Sequence, residues 1–436
     1  MNRRIALGVF LMTLVVRLAF GWHSLLSPEN ALANDTTIYR HLAETLVHFQ
    51  FPSLFRTPGY PFFLVLTGGF PHSQVIVTLL AQMLLDSLTA VLLAAIAWRL
   101  FQHSSAALGA GWLYAFCPIN ATLSASVVSE TLSIFLVVAA FYLALCHASR
   151  LSLVAQTVCW TWATMTRPSG VLLPLIVYFF LLIQSRQSVK KWKGHAAVLV
   201  GYFFFVGLWV GFNYVRSGMP VLCTNPPVSF YIYEVPAMRI AEQFSWPSYL
   251  RMAVFNPKEY DRLIEVYEKE FIEENFAGAQ PMPKDLWFTM DDAPTIRRLS
   301  AAAAVRTQGR LSTLIGIHLI GALQTIRPKW NSSGTASRLL DLLRLSLLMI
   351  ATLMLVWKRQ WWLLAFFGVW TLYALLLPGP VGSWRFRSLA EPVFSLGIAG
   401  ALTSILLAWQ PWQRLLHWLG VPKVRVKTAR ELQGVA

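Results

Sequence analysis

Apolar segments of membrane-spanning length recur along this 436-residue chain. A helix needs about 20 apolar residues to cross the hydrocarbon core of a bilayer, with a range of about 17–25. The chain is 56% hydrophobic and only 13% charged, whereas a soluble domain carries about 25% charged residues. We therefore predict an all-α polytopic membrane protein with about 10 transmembrane helices, within a range of 9–12. The predicted spans are residues 5–22, 75–97, 105–122, 127–146, 152–165, 170–184, 195–215, 338–357, 360–378 and 389–409.

The basic residues orient these spans. In a soluble protein, a net charge of +16 would suggest a nucleic-acid partner. In a membrane protein, Lys and Arg concentrate in the cytoplasmic loops. With a cytoplasmic N-terminus, the predicted inner loops are all basic, and the first carboxylate among them is Glu431. We expect both termini to be cytoplasmic, residues 410–436 to form a basic cytoplasmic tail, and no nucleic acid to bind.

One long stretch, residues 216–337, breaks the apolar pattern. It holds twelve of the twenty carboxylates. Residues 258–275 alternate charged and apolar residues at the spacing of an amphipathic helix. Residues 311–326 are apolar but short, and the charge pattern favours a position in the outer interface for them. The chain thus divides into an N-terminal transmembrane module (1–215), a mostly helical outer-face insertion (216–337), C-terminal transmembrane helices (338–409) and the tail (410–436).

The first outer loop, residues 23–74, contains a polar stretch that begins near Asp35. Carboxylates are scarce before the insertion, which narrows the candidates for a catalytic base. Asp35 precedes a predicted amphipathic helix with Ile38, Leu42 and Leu46 on one face. Asp is also a favoured N-cap residue. The sequence alone leaves both roles open for Asp35, base or helix cap.

The same loop ends in Arg56-Thr-Pro-Gly-Tyr-Pro61. The prolines stiffen this turn, and we expect Gly59 to permit a positive φ. A stiff turn would hold Arg56 in place for a phosphate or carboxylate contact. The alternative is an ordinary outer loop whose arginine faces lipid headgroups. Residues 61–70 are apolar but too short to span, so we expect them in the interface.

Further charged residues lie at the predicted outer ends of other spans. Glu130 stands in an apolar run, where a carboxylate is costly unless it faces a cavity or a partner. Arg167 stands between two apolar runs. Arg385 and Arg387 share a short outer loop, followed by Glu391. These arginines could bind a phosphate group or contact lipid headgroups.

Two more charged residues, Arg17 and Asp86, fall inside predicted spans. A charged group within the bilayer usually pairs with another group, and a long side chain can instead extend toward the interface. We expect internal pairing, or for Arg17 an extension toward the outer surface.

Familiar soluble-enzyme motifs do not occur in the sequence. It contains no P-loop, Rossmann glycine fingerprint, HExxH or serine elbow. Its nine histidines and four cysteines show no metal-ligand spacing, so we predict no metal site. What remains is an acidic residue with several arginines on one face. This set suits a reaction in which a base deprotonates an acceptor hydroxyl while cations hold a leaving phosphate.

Taken in order, these motifs resemble those of the bacterial GT-C membrane glycosyltransferases, the group of the protein O-mannosyltransferases and the lipid A aminoarabinose transferase. The resemblance is close over residues 1–225 and good over 380–400, whereas 226–337 match poorly. The motifs are Arg17, Asp35-x-x-x-Tyr39-x-x-x-Ala43-x-x-Leu46, Arg56-x-Pro-Gly-Tyr-Pro61, Ser129-Glu-Thr-Leu132, Thr166-Arg-Pro-Ser-Gly170 and Arg385-x-Arg387-x-x-x-Glu391-Pro392.

The resemblance implies an inverting glycosyltransferase that uses a polyprenyl-phosphate-linked sugar. It implies a bacterial inner membrane protein with a periplasmic active site, in which 1–215 is the catalytic module and the periplasmic insertion selects a lipid, glycan or protein acceptor. Asp35 would be the base. The lipid phosphate would contact Arg56, Arg167, Arg385 and Arg387, and the substrate cavity would include Tyr39, Tyr60, Glu130 and Glu391.

One departure from the family concerns metal. Many relatives carry a second acidic residue beside the first, whereas here the neighbour of Asp35 is Asn34. One carboxylate and one amide make a weak divalent-cation site. We therefore predict catalysis without a metal or other cofactor.

Two other functions fit part of the pattern. A lipid-linked-sugar flippase or transporter would use the arginines without a base, and it predicts inverted repeats and a midplane site. An O-antigen ligase or polymerase would also use lipid-linked sugar and outer arginines, but it would not need Asp35. Replacing Asp35 with Asn distinguishes these functions from the transferase.

Overall fold

The computed structural model describes residues 1–32, 34–51, 53–70, 75–146, 149–185, 189–275, 293–327 and 335–408. Every regular element in these ranges is helical, which confirms the predicted all-α class. The predicted tail, 410–436, lies outside the described residues. The α-helices are α1 (Arg3–Leu26), α2 (Asn34–Val47), α3 (Gly59–Thr67), α4 (Val75–Phe101), α5 (Ser104–Ala115), α6 (Pro118–Ser124), α7 (Glu130–Cys146), α8 (Arg150–Thr166), α9 (Leu173–Ser185), α10 (Val189–Ser217), α11 (Asn225–Ser229), α12 (Val235–Gln243), α13 (Trp246–Leu250), α14 (Pro257–Asn275), α15 (Ala293–Thr307), α16 (Leu311–Ile326), α17 (Thr335–Trp357), α18 (Trp361–Leu376) and α19 (Glu391–Ala408).

Short helices of other types connect several of these elements. Two of them are π-helices in the insertion, Phe230–Glu234 and Arg251–Phe255. The 3₁₀-helices are Pro28–Ala31, Pro168–Gly170, Gly379–Val381 and Trp384–Leu389.

Four of the described helices are both long and apolar enough to cross a membrane. Several shorter helices are equally apolar, so the count of ten spans stays a prediction. The four are Arg3–Leu26, Val75–Phe101, Lys191–Ser217 and Thr335–Trp357, and the shorter ones are Glu130–Leu145, Pro168–Ile183, Leu311–Ile326, Trp361–Leu376 and Glu391–Leu407.

The predicted span 105–122 is wrong as a single helix. The structure has α5 and α6 there, separated at Phe116 and Cys117. Pro118 occupies the first turn of α6, where its missing N–H costs nothing, whereas inside a helix its ring would clash with the preceding turn. The residue before a proline also avoids the helical region. The proline therefore divides the apolar run into two short helices.

Helix α4 lies at the centre of the transmembrane core and packs against α1, α5, α7 and α19. Its Asp86 forms a buried ion pair with Arg17 of α1 and accepts a 2.6 Å hydrogen bond from the Tyr114 hydroxyl of α5. The remaining Arg17 N–H groups donate to the carbonyls of Tyr114 and Ala115, where α5 ends. A helix end inside a membrane needs such partners. The predicted internal pairing is thus confirmed.

The insertion is mostly helical over its described residues, as predicted. Helix α14 is amphipathic and buries Tyr260, Ile264, Tyr267 and Phe271 at three- and four-residue spacing. The insertion contains two apolar clusters among its described residues. One includes Tyr260, Ile264 and Tyr267, and the other includes Phe271 together with Phe55 from the first loop. The insertion therefore packs directly on the loop that carries Arg56.

Two segments placed in the interface by sequence are helices in contact with the protein. Helix α3 buries one face, including Tyr60 and Leu64, between α2 and α8. Helix α16 has the predicted limits and packs on α12, α18 and both 3₁₀-helices between α18 and α19. Its position relative to a bilayer stays a prediction.

We expect Asp86→Ala to destabilise the protein strongly, because it leaves the fully buried Arg17 charge without its carboxylate. Breaking one partner of a buried pair costs about 3–5 kcal/mol. Thermal unfolding of the detergent-solubilised protein measures this effect. Glu44→Ala, which changes an exposed carboxylate, should leave the melting temperature unchanged. Equal melting temperatures for Asp86→Ala and wild type would contradict the prediction.

Candidate active site

Asp35 lies at the start of α2 and is held by two arginines from distant parts of the chain. Its Oδ1 atom accepts a 2.7 Å hydrogen bond from Arg56 Nη2. Its Oδ2 atom accepts a 2.9 Å hydrogen bond from Arg385 Nη2. The carboxylate oxygens therefore engage in ion pairs, and the structure supports a site role for Asp35 beyond that of a helix cap.

Glu130 completes the group. Arg385 Nε donates to Glu130 Oε1, so the Arg385 guanidinium bridges Asp35 and Glu130. Arg167 Nη1 lies 2.8 Å from the same Glu130 oxygen. We refer to Asp35, Arg56, Glu130, Arg167 and Arg385 as the acid–arginine cluster. With three cations and two carboxylates, the cluster carries one excess positive charge.

Local sequence explains the positions of three members of the cluster. Glu130 opens α7, where a negative charge is favoured by the helix dipole. Arg167 ends α8 in an extended conformation, because Pro168 follows it. Its guanidinium lies 5.1 Å from the ring of Phe386. Arg385 belongs to a 3₁₀-helix whose first turn is capped by Ser383.

Accessibility differs sharply within the cluster. The side chains of Asp35, Arg56, Arg167 and Arg385 are 16–25% exposed, whereas that of Glu130 is 1% exposed. A ligand can therefore reach the Asp35 carboxylate and the three guanidiniums. Glu130 lies behind them and holds two of the arginines in place.

The charges of the cluster alter the titration of Asp35. Burial by itself would raise the pKa of this carboxyl, but the Arg56, Arg385 and Arg167 guanidiniums lower the pKa below its ordinary value. Nearby cations stabilise the ionised form. Asp35 is therefore ionised at neutral pH and, while both arginines hold it, a weak base.

The two tyrosines predicted for the cavity occupy different positions. Tyr39 borders the cluster, and its ring lies 5.4 Å from the Arg56 guanidinium. Tyr60 is completely buried, and its hydroxyl donates a 2.6 Å hydrogen bond to Gln82. The ring centroids of the two tyrosines are 4.8 Å apart. Tyr60 thus packs against the ring of Tyr39 and does not reach an accessible surface.

Arg387 and Glu391 do not join the acid–arginine cluster. Arg387 is fully buried and pairs with Glu391 and Asp341, while Arg344 pairs with the other oxygen of Glu391. Arg387 Nη1 also donates a 2.6 Å hydrogen bond to the Ile326 carbonyl. The prediction that Arg387 and Glu391 share the Asp35 site is therefore wrong in placement. We refer to these four side chains as the anchor cluster.

Asp341 and Arg344 are not among the residues that the sequence patterns indicate. Both lie in α17, within the predicted span 338–357. Charged residues inside a span are rare and usually paired. The sequence held one signal for this cluster. Two opposite charges, Asp341 and Arg344, are three residues apart in an apolar run, and the later pair Arg387 and Glu391 could compensate them.

The role predicted for Gly59 was also wrong. Gly59 is not among the glycines of the described residues that have a positive φ. Gly59 instead begins α3, where a Cβ would overlap the backbone of Met165 and Thr166. Trp162 Nε1 donates a 3.0 Å hydrogen bond to the Gly59 carbonyl. The glycine thus brings the Arg56 turn against the end of α8, next to Arg167.

No group of three or more His, Cys, Asp or Glu side chains in the described ranges could hold a metal ion. Catalysis without metal stays a prediction.

Comparison with known proteins supports part of this picture. Residues 56–210 match the family model described as dolichyl-phosphate-mannose-protein mannosyltransferase. This match confirms the resemblance to GT-C glycosyltransferases that the motifs predict. The family model covers the Arg56 turn, Glu130 and Arg167, but neither Asp35 nor Arg385. No curated protein sequence matches the chain.

One solved structure shares the fold at low identity, and a second aligns more weakly. The archaeal oligosaccharyltransferase AglB from Archaeoglobus fulgidus, in complex with an inhibitory peptide and a dolichol-phosphate, aligns with a TM-score of 0.50 and 13% identity. The alignment covers 98% of this chain and 53% of AglB, so the chain spans about half the length of that protein. ArnT from Cupriavidus metallidurans, bound to undecaprenyl phosphate, aligns with a TM-score of 0.38 and 14% identity over 92% of this chain and 79% of ArnT.

We expect Gly59→Ala to destabilise the protein, because the added Cβ meets backbone atoms that cannot move independently. Overpacking of this kind costs about 1–3 kcal/mol. Thermal unfolding in detergent measures the effect. Gly207→Ala on α10 is the matched control, since a Cβ there meets nothing within 4 Å. A melting temperature lowered equally by both variants would contradict the proposed close approach.

Proposed function

We propose that this protein is an inverting glycosyltransferase that moves a sugar from a polyprenyl-phosphate donor to an acceptor hydroxyl. The observation that carries this proposal is the Asp35 carboxylate, held by Arg56 and Arg385 in a cluster with one excess positive charge. The cluster offers both a base and a binding site for an anionic leaving group. The match to the mannosyltransferase family supports the same chemistry.

The three accessible arginines suit the phosphate of the donor. A guanidinium presents several N–H donors in a fixed plane, which matches phosphate oxygens. Arg167 and Arg385 are oriented by Glu130, and Arg56 lies over the ring of Phe55 at 4.7 Å. Such preorganised cations stabilise the charge that develops on the leaving phosphate.

Donor binding also changes Asp35. In the structure, Arg56 and Arg385 lower the pKa of this carboxyl, and a carboxylate with a low pKa is a weak base. The donor phosphate competes for the same guanidiniums. When they turn toward the phosphate, Asp35 loses part of its neutralising charge and becomes more basic. The base is thus activated when the leaving group is in place.

The reaction then follows directly. Asp35 removes the proton of the acceptor hydroxyl, and the acceptor oxygen attacks the anomeric carbon of the sugar. The bond between that carbon and the phosphate oxygen breaks. The products are the glycosylated acceptor and polyprenyl phosphate, whose additional negative charge is taken up by the arginines. Attack from the face opposite the phosphate inverts the anomeric configuration.

The proposed location follows the distribution of charge along the chain. Basic residues dominate the loops assigned to the cytoplasm, whereas the acid–arginine cluster belongs to segments assigned to the opposite side. We propose a multi-pass protein of the bacterial inner membrane, with cytoplasmic termini and a periplasmic site. Membrane lipids surround the spans, and the insertion contacts the acceptor.

We expect Asp35→Asn to lower transfer at least about 100-fold, since a positioned base contributes about 10²–10⁴-fold. The measurement is sugar transfer in reconstituted vesicles, with a panel of polyprenyl-phosphate sugars and membrane extract as acceptor. Glu44→Gln, on the exposed face of the same helix, should retain full activity.

Other outcomes of this experiment identify the alternatives. Full transfer by Asp35→Asn would exclude Asp35 as the base and favour a ligase or polymerase that relies on arginines alone. Absence of transfer by wild type, together with movement of lipid-linked sugar across the vesicle membrane, would replace the transferase by a flippase.

A pH dependence follows from the activation of Asp35. Fewer cations near a carboxylate favour its protonated form, so the pKa of Asp35 should be higher in the donor complex than in the free protein. We expect the acid limb of kcat/KM for the acceptor, at saturating donor, to lie at higher pH than that for the donor. Asp35→Glu should move both limbs upward, since an ordinary Glu pKa is about 0.4 higher. Coincident limbs in wild type would contradict donor activation.

A further inference from the structure

Glu234 is a buried carboxyl that the proposed mechanism does not use. It ends the π-helix Phe230–Glu234 of the insertion, and its side chain is 8% exposed. Its Oε2 atom has no hydrogen-bond partner among the described residues. No cation of the described residues lies within ion-pair distance of it. An unsatisfied buried polar atom costs about 1–3 kcal/mol, and π-helical turns occur frequently at functional sites.

The protonation state of Glu234 follows from its surroundings. Burial raises the pKa of this carboxyl to about 8, because a charged group is disfavoured where water is excluded. At neutral pH the side chain is therefore mainly a neutral carboxylic acid. In that form it offers one O–H donor in addition to its acceptor lone pairs.

A histidine, His318, borders the same glycine as Glu234. His318 Nδ1 of α16 lies 2.9 Å from the Leu376 carbonyl. Because a carbonyl only accepts a hydrogen bond, Nδ1 is the donor, and in the Nδ1–H tautomer Nε2 is the acceptor nitrogen. Glu234 Oε1 and His318 Nε2 lie 3.1 and 3.2 Å from the position that a Cβ would take at Gly379. The carboxyl and the imidazole thus border one side of Gly379, whose φ is +58°.

Two neighbouring residues connect this pair to the segments of the acid–arginine cluster. The preceding residue, Tyr233, packs against both apolar clusters of the insertion, one of which contains Phe55. Burial raises the pKa of the Tyr233 hydroxyl, and the Asp35 charge contributes to that rise. On the other side, the turn at Gly379 leads within six residues to Arg385. Tyr233 thus connects Glu234 with the first loop, and Gly379 connects the pair along the chain with Arg385.

We propose that Glu234 and His318 form a subsite for a hydroxyl group of an uncharged, polyhydroxylated acceptor. One O–H donor and one nitrogen acceptor match a hydroxyl, which both accepts and donates a hydrogen bond. A phosphodiester has no proton to donate to His318 Nε2, a phosphate monoester is mainly dianionic at neutral pH, and an ammonium group cannot accept from the Glu234 acid. This inference rests on the proposed glycosyl transfer and assigns its acceptor class.

The test uses the reconstituted full-length protein and a donor accepted by wild type. Octyl glycosides serve as acceptor probes, each compared with its monodeoxy and amino-substituted analogues. We expect wild type to use the hydroxylated glycosides. Glu234→Ala should raise the acceptor KM at least tenfold and leave the donor KM within twofold. Glu234→Gln, which retains a donor and an acceptor, should stay within threefold of wild type.

The analogues distinguish a hydroxyl contact from a structural effect. For the glycoside that lacks the recognised hydroxyl, Glu234→Ala and wild type should have equal KM values, and His318→Phe should behave as Glu234→Ala. The matched control is Glu242→Ala, an exposed carboxylate of α12, which should change neither KM.

Two results would overturn the acceptor subsite. One is an acceptor KM that rises equally for the hydroxylated and deoxy glycosides. The other is the use of amino-substituted acceptors alone, or of none of these glycosides. Donor hydrolysis in the absence of acceptor separates these results from a failure of the proposed function. Hydrolysis by wild type that is lost in Asp35→Asn retains the transferase, whereas its absence from wild type rejects the transferase itself.

Discussion

The pairing of buried charges organises this protein. An arginine or carboxylate removed from water is tolerated only when an opposite charge and further hydrogen bonds compensate it. Three such groups lie among the described helices: Arg17 with Asp86, the acid–arginine cluster, and the anchor cluster. Each joins segments that are far apart in sequence. The pairs therefore fix which helices are neighbours, while the apolar surfaces that surround them supply most of the burial.

The two larger clusters act on one short element. Arg385 and Arg387 are two residues apart in the same 3₁₀-helix, yet they engage different carboxylates. Arg387 is immobilised by Asp341 and Glu391 within the protein. The 3₁₀-helix that carries Arg385 is therefore held in place, with Arg385 paired to Asp35 and Glu130. The buried anchor cluster thus fixes the position of a residue in the accessible acid–arginine cluster, as a preorganised site requires.

Sequence patterns were sufficient for what depends on local composition. Apolar runs predicted most of the helices, with the exception of the run that Pro118 divides into α5 and α6. The spacing in 258–275 predicted the amphipathic α14, and the scarcity of carboxylates before the insertion indicated Asp35. Patterns could not tell which of two arginines in Trp384-Arg-Phe-Arg387 faces Asp35, because that depends on partners in α17. Nor could they show that Gly59 serves close packing, since Met165 is about a hundred residues away. The orientation of the two arginines and the packing at Gly59 both depend on residues that are distant in sequence.

The order in which the chain is synthesised gives the acid–arginine cluster a further property. Asp35, Arg56, Glu130 and Arg167 all precede the insertion, and together they are electrically neutral. The cation that gives the cluster its positive excess, Arg385, follows the insertion and is the last of the five residues to be synthesised. A nascent chain that ends before Arg385 therefore holds Asp35 in a cluster without excess positive charge. Under the proposed function, an anionic donor is attracted to the site only after the segment that carries Arg385 has joined it.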